Sequence, residues 1–254
     1  MYEFYKTIKY DSKKSQQCYK ILEQLYKKIP ETEGCLENLL KGQKCHGQCC
    51  QYQNPQVMFV EFMRVWHYII KSWDLEDIWT LLECSMLNYI KGLTTKGCIF
   101  FDTKKYTCKI HNYRPLSCFL YGITPDEEFK PRFEKIKKEY KGVLGAIVKE
   151  QCNLIKTKDD KPVTMDDTNK WFEELNEIEK IFGIERHKIS DGPGGSYRTF
   201  HDHILLFMVP DSIMKELQDL RMTGEPGKSI IAVHEFISIM KNTKNNGKKE
   251  NKNT

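Results

Sequence analysis

The chain has 254 residues, with 40 lysines and arginines against 35 aspartates and glutamates, 40% hydrophobic residues and ten cysteines. That is enough apolar material for a core without crosslinks, so the cysteines are not needed as staples. Most of the net charge of +5 sits in the segment 241–254 (KNTKNNGKKENKNT), with five lysines and one glutamate; the body has no basic stripe to meet a phosphate backbone, and nucleic acid is not expected as a partner.

The opening MYEFYKTIKYDSKK lacks an apolar stretch after a basic start, and the longest apolar runs, such as Ile204 to Val209, fall far short of a bilayer. A cytoplasmic protein without a membrane partner is expected. From Ser12 to Ile29, Cys18, Ile21, Leu22, Leu25 and Ile29 recur at helical spacing until Pro30 ends the pattern. Between Glu31 and Gln53 periodicity gives way to glycine and cysteine, as in an irregular, ligand-bearing loop. Pro55 suits the first turn of a helix to Trp73, with Phe59, Phe62, Met63, Trp66, Ile69 and Ile70 on its apolar side. Asp74 and Asp77 read as a cap for a third helix with the stripe Leu75, Ile78, Trp79, Leu82, Met86, Tyr89 and Ile90.

From Cys98 two β-like pieces, Cys98–Phe101 and Tyr106–Ile110, flank the polar link Asp102–Lys105 and predict a hairpin. Pro131 opens a charged helix to about Glu150, and Thr164 with Asp167 caps one through Trp171, Phe172, Leu175, Ile178 and Phe182. Ser190 to His203 is a glycine-rich loop, with helices expected at about 211–222 and 229–242. The fold class expected is mainly α with a small cysteine-rich irregular and β-hairpin region. Residues 1–240 form a single helical domain in this reading, with the cysteine module at about 35–125 and a disordered basic tail at 241–254.

Seven of the ten cysteines lie between positions 45 and 118, as Cys45-x3-Cys49-Cys50, Cys84, then Cys98-x9-Cys108-x9-Cys118. In a reducing compartment such a cluster points to metal binding or redox chemistry before structural disulfides. Cys45, Cys49, Cys50, Cys98, Cys108 and Cys118 fall in loops or hairpin positions, where thiolates are free to converge. Tetrahedral zinc and iron–sulfur clusters are both commonly held by four cysteines, so spacing leaves the metal open. The two tight C-x2-C knuckles of a zinc ribbon are missing, as is the ferredoxin run. Six thiols exceed one four-coordinate site, leaving room for a second ligand set or a redox-active pair. Cys18, Cys84 and Cys152 lie on or beside helical patterns and are expected to be buried as small hydrophobes. Cys35 is intermediate.

Cys45-His-Gly-Gln-Cys-Cys50, Gly97-Cys-Ile-Phe-Phe-Asp102 and Cys108-Lys-Ile-His-Asn-Tyr-Arg-Pro-Leu-Ser-Cys118 resemble the YkgJ-type cysteine-cluster proteins over about Cys45 to Tyr121. The pattern is C-x-x-x-C-C, then C-x-F-L-D, then C-x-I-[YH]-x-x-R-P-x-x-C. Phe119 stands where the family usually has arginine. The resemblance implies a zinc- or iron-chelating domain, with the six cysteines named above as metal ligands. Members are often labelled iron–sulfur oxidoreductases without a defined substrate, and a relative forms part of flagellin lysine N-methylases.

Arg114-Pro115 reads in two ways: guanidinium donors near thiolate sulfur, or an arginine bonding turn carbonyls. His46 and His111 read as polar loop residues near the cluster. His201-Asp-His203 would place two imidazoles on one side of an extended chain, suited to metal or acid–base work, or would simply cap a helix starting near Ile204. Asp191 to Arg198 could present backbone N–H groups to an anion but matches neither the dinucleotide fingerprint nor the P-loop, and a wide turn is the favoured reading. The leading expectation is a metal-binding redox protein carrying an iron–sulfur cluster or iron, and serving an unknown protein or small-molecule redox partner. A structural zinc module, a lysine N-methylase-like modifying enzyme and a thiol–disulfide sensor are the alternatives.

Overall fold

The computed structural model describes residues 11–33, 50, 55–90, 97–102, 104–105, 107–125, 127, 130–131, 134, 155–182, 198–224 and 226–250. These residues are mostly helical, with three two-stranded antiparallel pairs. The chain separates into two compact units. One holds the described residues between 8 and 69 and between 95 and 200; the other holds those between 70 and 94 and from 201 onward.

The first unit starts with α1 (Lys13–Tyr26), where the Ser12 hydroxyl caps the helix by accepting the Ser15 amide at 3.1 Å. Its buried side carries Cys18, Leu22 and Leu25, as the periodicity predicts, and packs against α5 (Met165–Phe182). That helix opens with the expected box: the Thr164 amide donates to Asp167 Oδ2 at 3.0 Å, and the Asp167 amide donates to Thr164 Oγ1 at 3.2 Å. In α2 (Phe59–Ser72), Phe59, Phe62, Met63 and Trp66 are buried, and Phe59 lies edge-on to Phe182 at 5.7 Å.

Pro55 does not open α2. The residues after it form β2 (Gln56–Val57), which pairs with β6 (Arg198–Thr199), so local helix signals yield to a long-range partner. β1 (Thr32–Glu33) pairs with β5 (Lys156–Thr157), and the anticipated hairpin is β3 (Phe101–Asp102) against β4 (Thr107–Cys108). A 3-10 turn, His111–Tyr113, leads into the short helix α4 (Leu116–Leu120). The helix expected from Pro131 to about Glu150 lies almost wholly outside the described residues, as do Cys35, Cys152 and the glycine loop up to residue 197.

The second unit gathers α3 (Leu75–Ile90), most of α6 (Phe200–Met208), α7 (Asp211–Thr223) and α8 (Pro226–Glu250). Leu82, Met86, Leu205, Leu217 and Val233 are buried there, whereas Leu75 and, on the last turns of α2, Ile70 are exposed. Cys84 is exposed, contrary to the burial expected of it; it lies about 200° round α3 from buried Leu82. Gly224, at φ 69°, takes the left-handed cap that ends α7 before Pro226 restarts a helix. α8 continues to Glu250, so the lysine-rich segment expected to be disordered is helical through that residue. Extending a packed helix costs little once its nucleus exists, and Lys241 reaches Glu76 at 2.7 Å.

Among the described residues no helix is long and apolar enough to cross a membrane.

Candidate metal centre

Four of the six proposed ligands are described, all in the first unit and all partly exposed: Cys50, Cys98, Cys108 and Cys118. None of the described cysteines is in a disulfide. Cys45 and Cys49 lie outside the described residues. Cys50 and Cys98, far apart in sequence, meet through the backbone, where the Cys98 amide donates to the Cys50 carbonyl at 2.6 Å. The Phe101 amide then turns back to the Cys98 carbonyl at 3.0 Å, and Phe101 faces Cys108 across the β3–β4 pair. The opening, middle and closing cysteine motifs are thus stitched by backbone bonds, with buried Phe100 beneath them against Phe200 at 4.7 Å.

Cys118 is carried by α4. Its amide and that of Phe119 both bond the Pro115 carbonyl, at 2.9 and 3.2 Å, because Pro115 fixes an extended entry and has no side-chain cap to offer. Among the described residues, no three His, Cys, Asp or Glu side chains form a group that could hold a metal ion. The chemistry of the donor set nevertheless fits a thiophilic metal: several uncrosslinked, partly exposed thiols on loops and hairpin ends of one unit.

Around α4 runs a column of rings and guanidiniums. Tyr68 stacks on Tyr113 at 4.0 Å; Arg64 lies 5.0 Å from the Tyr113 ring centre and 5.3 Å from that of Tyr26; Tyr26 meets Phe119 at 5.0 Å; and Arg114 caps Phe119 at 4.3 Å. Phe119, the departure from the family pattern, is therefore the seat of Arg114. Neither expectation for that arginine is seen: its guanidinium lies over a ring, and its Nε is buried without a hydrogen-bond partner among the described residues. His111, between Cys108 and Cys118, is half-buried, and burial with the nearby Arg114 charge holds its pKa below the usual imidazole value.

Two buried carboxylates were missed in the sequence. Glu61 Oε1 accepts from the Tyr26 hydroxyl at 2.7 Å and the Leu116 amide at 2.7 Å, while Oε2 accepts from the Met58 amide at 2.9 Å. Burial pushes its pKa above the usual carboxylate range, against these three donors and Arg64. Glu179 accepts the Phe59 and Val60 amides at 3.0 and 2.8 Å, capping α2 from another helix, and burial pushes its pKa up to about 8. Tyr26 is pushed well above the phenol range, chiefly by burial and then by Glu61. A signal existed: Glu61 and Arg64 interrupt the apolar run Phe59–Trp66 on a helix with little solvated face.

His201 and His203 are not on an extended loop. Both lie in the first turns of α6, where residues two apart diverge by about 200°, and both belong to the second unit. The His201 ring nitrogen Nδ1 meets Ser85 Oγ at 3.1 Å, and the Ser85 hydroxyl is already donated to the Leu81 carbonyl at 2.9 Å. His201 is therefore the donor in this buried pair, so it does not activate the serine. Burial lowers its pKa to about 4.

Residues 41–139 match the CxxCxxCC family model, described as "Putative zinc- or iron-chelating domain". This segment is similar to the CxxCxxCC family. It takes in all six proposed ligands, as well as Glu61, Arg64, Tyr113 and Arg114, and it makes metal chelation, of zinc or iron, the function indicated for the segment. No curated protein and no solved structure matches the chain.

Proposed function

We propose that the chain is a thiolate-ligated metalloprotein whose CxxCxxCC domain holds iron, as an iron–sulfur cluster or an iron centre, for electron transfer or redox modification. The ligands are drawn from Cys45, Cys49, Cys50, Cys98, Cys108 and Cys118. The observation that carries this reading is the backbone bond between Cys98 and Cys50, which brings the last cysteine of the C-x-x-x-C-C motif beside Cys98, just before the hairpin. Six thiols leave room for a second ligand set or a redox-active pair beside one four-coordinate site. Cys45 and Cys49 would complete the ligand set that the described cysteines alone do not form. The partly exposed setting suits exchange of electrons with a protein or small-molecule partner in the cytoplasm.

A structural zinc site is the second reading, favoured by the zinc named in the domain's description. Anaerobic purification of the full chain and of Cys108→Ser and Cys118→Ser tests the ligand assignment under either metal. Both variants should bind the metal more weakly and retain less of it than wild type. Unchanged metal content in both would refute the assignment.

A further inference from the structure

We propose that Glu61 is the positioning residue for Cys118: its buried carboxylate anchors the turn from Pro115 to Leu120 and so fixes where the Cys118 sulfur is presented. This rests on the reading of Cys118 as a metal ligand. An acid in the apolar face of α2 is costly unless its oxygens are satisfied. Here three elements supply the donors: Tyr26 from α1, Met58 from the start of α2, and Leu116 from the start of α4.

The third bond bears on the metal site. Leu116 is fully buried, and Pro115 gives α4 no side-chain cap, so water and a local cap are both excluded as partners for the Leu116 amide. The amides of Cys118 and Phe119 are spent within the turn on the Pro115 carbonyl. Glu61 therefore ties the leading edge of α4 to the α1–α2 framework. Leu116 and Cys118 share one helical turn, so a shift of the anchor moves the sulfur with it. Tyr113 ahead of the turn and Phe119 within it are held by the Arg64–Tyr26 column, which leaves the Leu116 bond as the register point between two fixed rings.

Metal ligation tolerates displacements of only about 0.2 Å, and loss of a group that orients a ligand typically weakens metal affinity ten- to a hundredfold. Glu61→Gln keeps the shape but turns an amide NH2 on one of the donors. The test is cobalt(II) titration of the reduced full chain, read by thiolate-to-cobalt absorption, for wild type, Glu61→Gln, Cys118→Ser and the double variant. Folding of each is checked by far-UV ellipticity.

Glu61→Gln should weaken cobalt binding by about ten- to a hundredfold and shift the absorption band, and it should add little in the Cys118→Ser background, because it acts through that sulfur. A folded Glu61→Gln chain with wild-type affinity and spectrum, or one whose effect adds in full to Cys118→Ser, would overturn the proposal. A wild-type chain that takes up no cobalt would overturn the ligand reading and this inference together. Where Glu61→Gln does not fold, Tyr26→Phe, which removes one donor to the same oxygen, decides: a shifted band supports the proposal and an unchanged one overturns it.

Discussion

Glu179→Gln should change how stability depends on pH. Glu179 is 3% exposed, reaches across from α5 to cap α2, and has a pKa raised from 4.5 to about 8, chiefly by burial, with Glu61 adding and the two amide donors opposing. An acid raised in the fold keeps its proton where the unfolded chain has lost it. Its contribution is therefore complete below about pH 4.5 and is lost as pH rises through about 8. At about 1.4 kcal/mol per pH unit, that window is worth on the order of 4–5 kcal/mol. Glutamine does not titrate and so lacks this dependence. Urea unfolding followed by tryptophan fluorescence from about pH 5 to pH 9 should show wild type losing stability relative to Glu179→Gln by that order. A difference independent of pH would refute the reasoning. So would wild type gaining with pH, because the amides of Phe59 and Val60 would then be holding a carboxylate against burial.

His201 should act in the opposite direction. Its pKa is depressed to about 4 by burial, so its contribution is present above about 6.5 and lost as pH falls through about 4; acid unfolding monitored for wild type and His201→Gln should differ by on the order of 3 kcal/mol across that window. Thr164→Ala removes the hydroxyl arm of the box at the start of α5 while leaving the backbone amide bond to Asp167, and should cost about 1 kcal/mol in the same unfolding assay. Phe62→Ala empties a nearly fully buried site in α2 and should cost about 3–5 kcal/mol. Cys84→Ser, on an exposed position of α3, should leave thermal stability within about 0.5 kcal/mol of wild type.

The helices with strong periodicity and caps were legible from residues alone: α1 from its Cys18–Leu22–Leu25 face, and α5 from Thr164 and Asp167. The hairpin was legible because Cys98–Phe101 and Tyr106–Ile110 flank a polar link. The β2–β6 pair was not, since two-residue strands carry no pattern and their partner lies far along the chain. His201 and His203 read as extended only because a glycine-rich run precedes them, whereas the apolar Phe200–Met208 stretch pulls both into a helix.

For the candidate centre, the cysteine motifs and their resemblance identified the ligands to propose, but nothing local identified what holds them. The Cys50–Cys98 bond is long-range. Glu179 looks in sequence like an ordinary helical acid, and although Glu61 interrupts the apolar run Phe59–Trp66, its partners Tyr26 and Leu116 come from α1 and α4 and carry no local signal. Phe119 looked like a loss relative to the family, yet its ring supports Arg114.

The central proposal is that thiolates of the cysteine-cluster segment hold iron. Metal and acid-labile sulfide analysis with a visible spectrum, on the full chain purified without oxygen, tests it most directly. Stoichiometric iron with broad visible absorption, and sulfide where the centre is a cluster, is the predicted result. A colourless protein holding zinc alone would contradict the redox reading in favour of a structural site, and a protein devoid of bound metal would contradict the account as a whole.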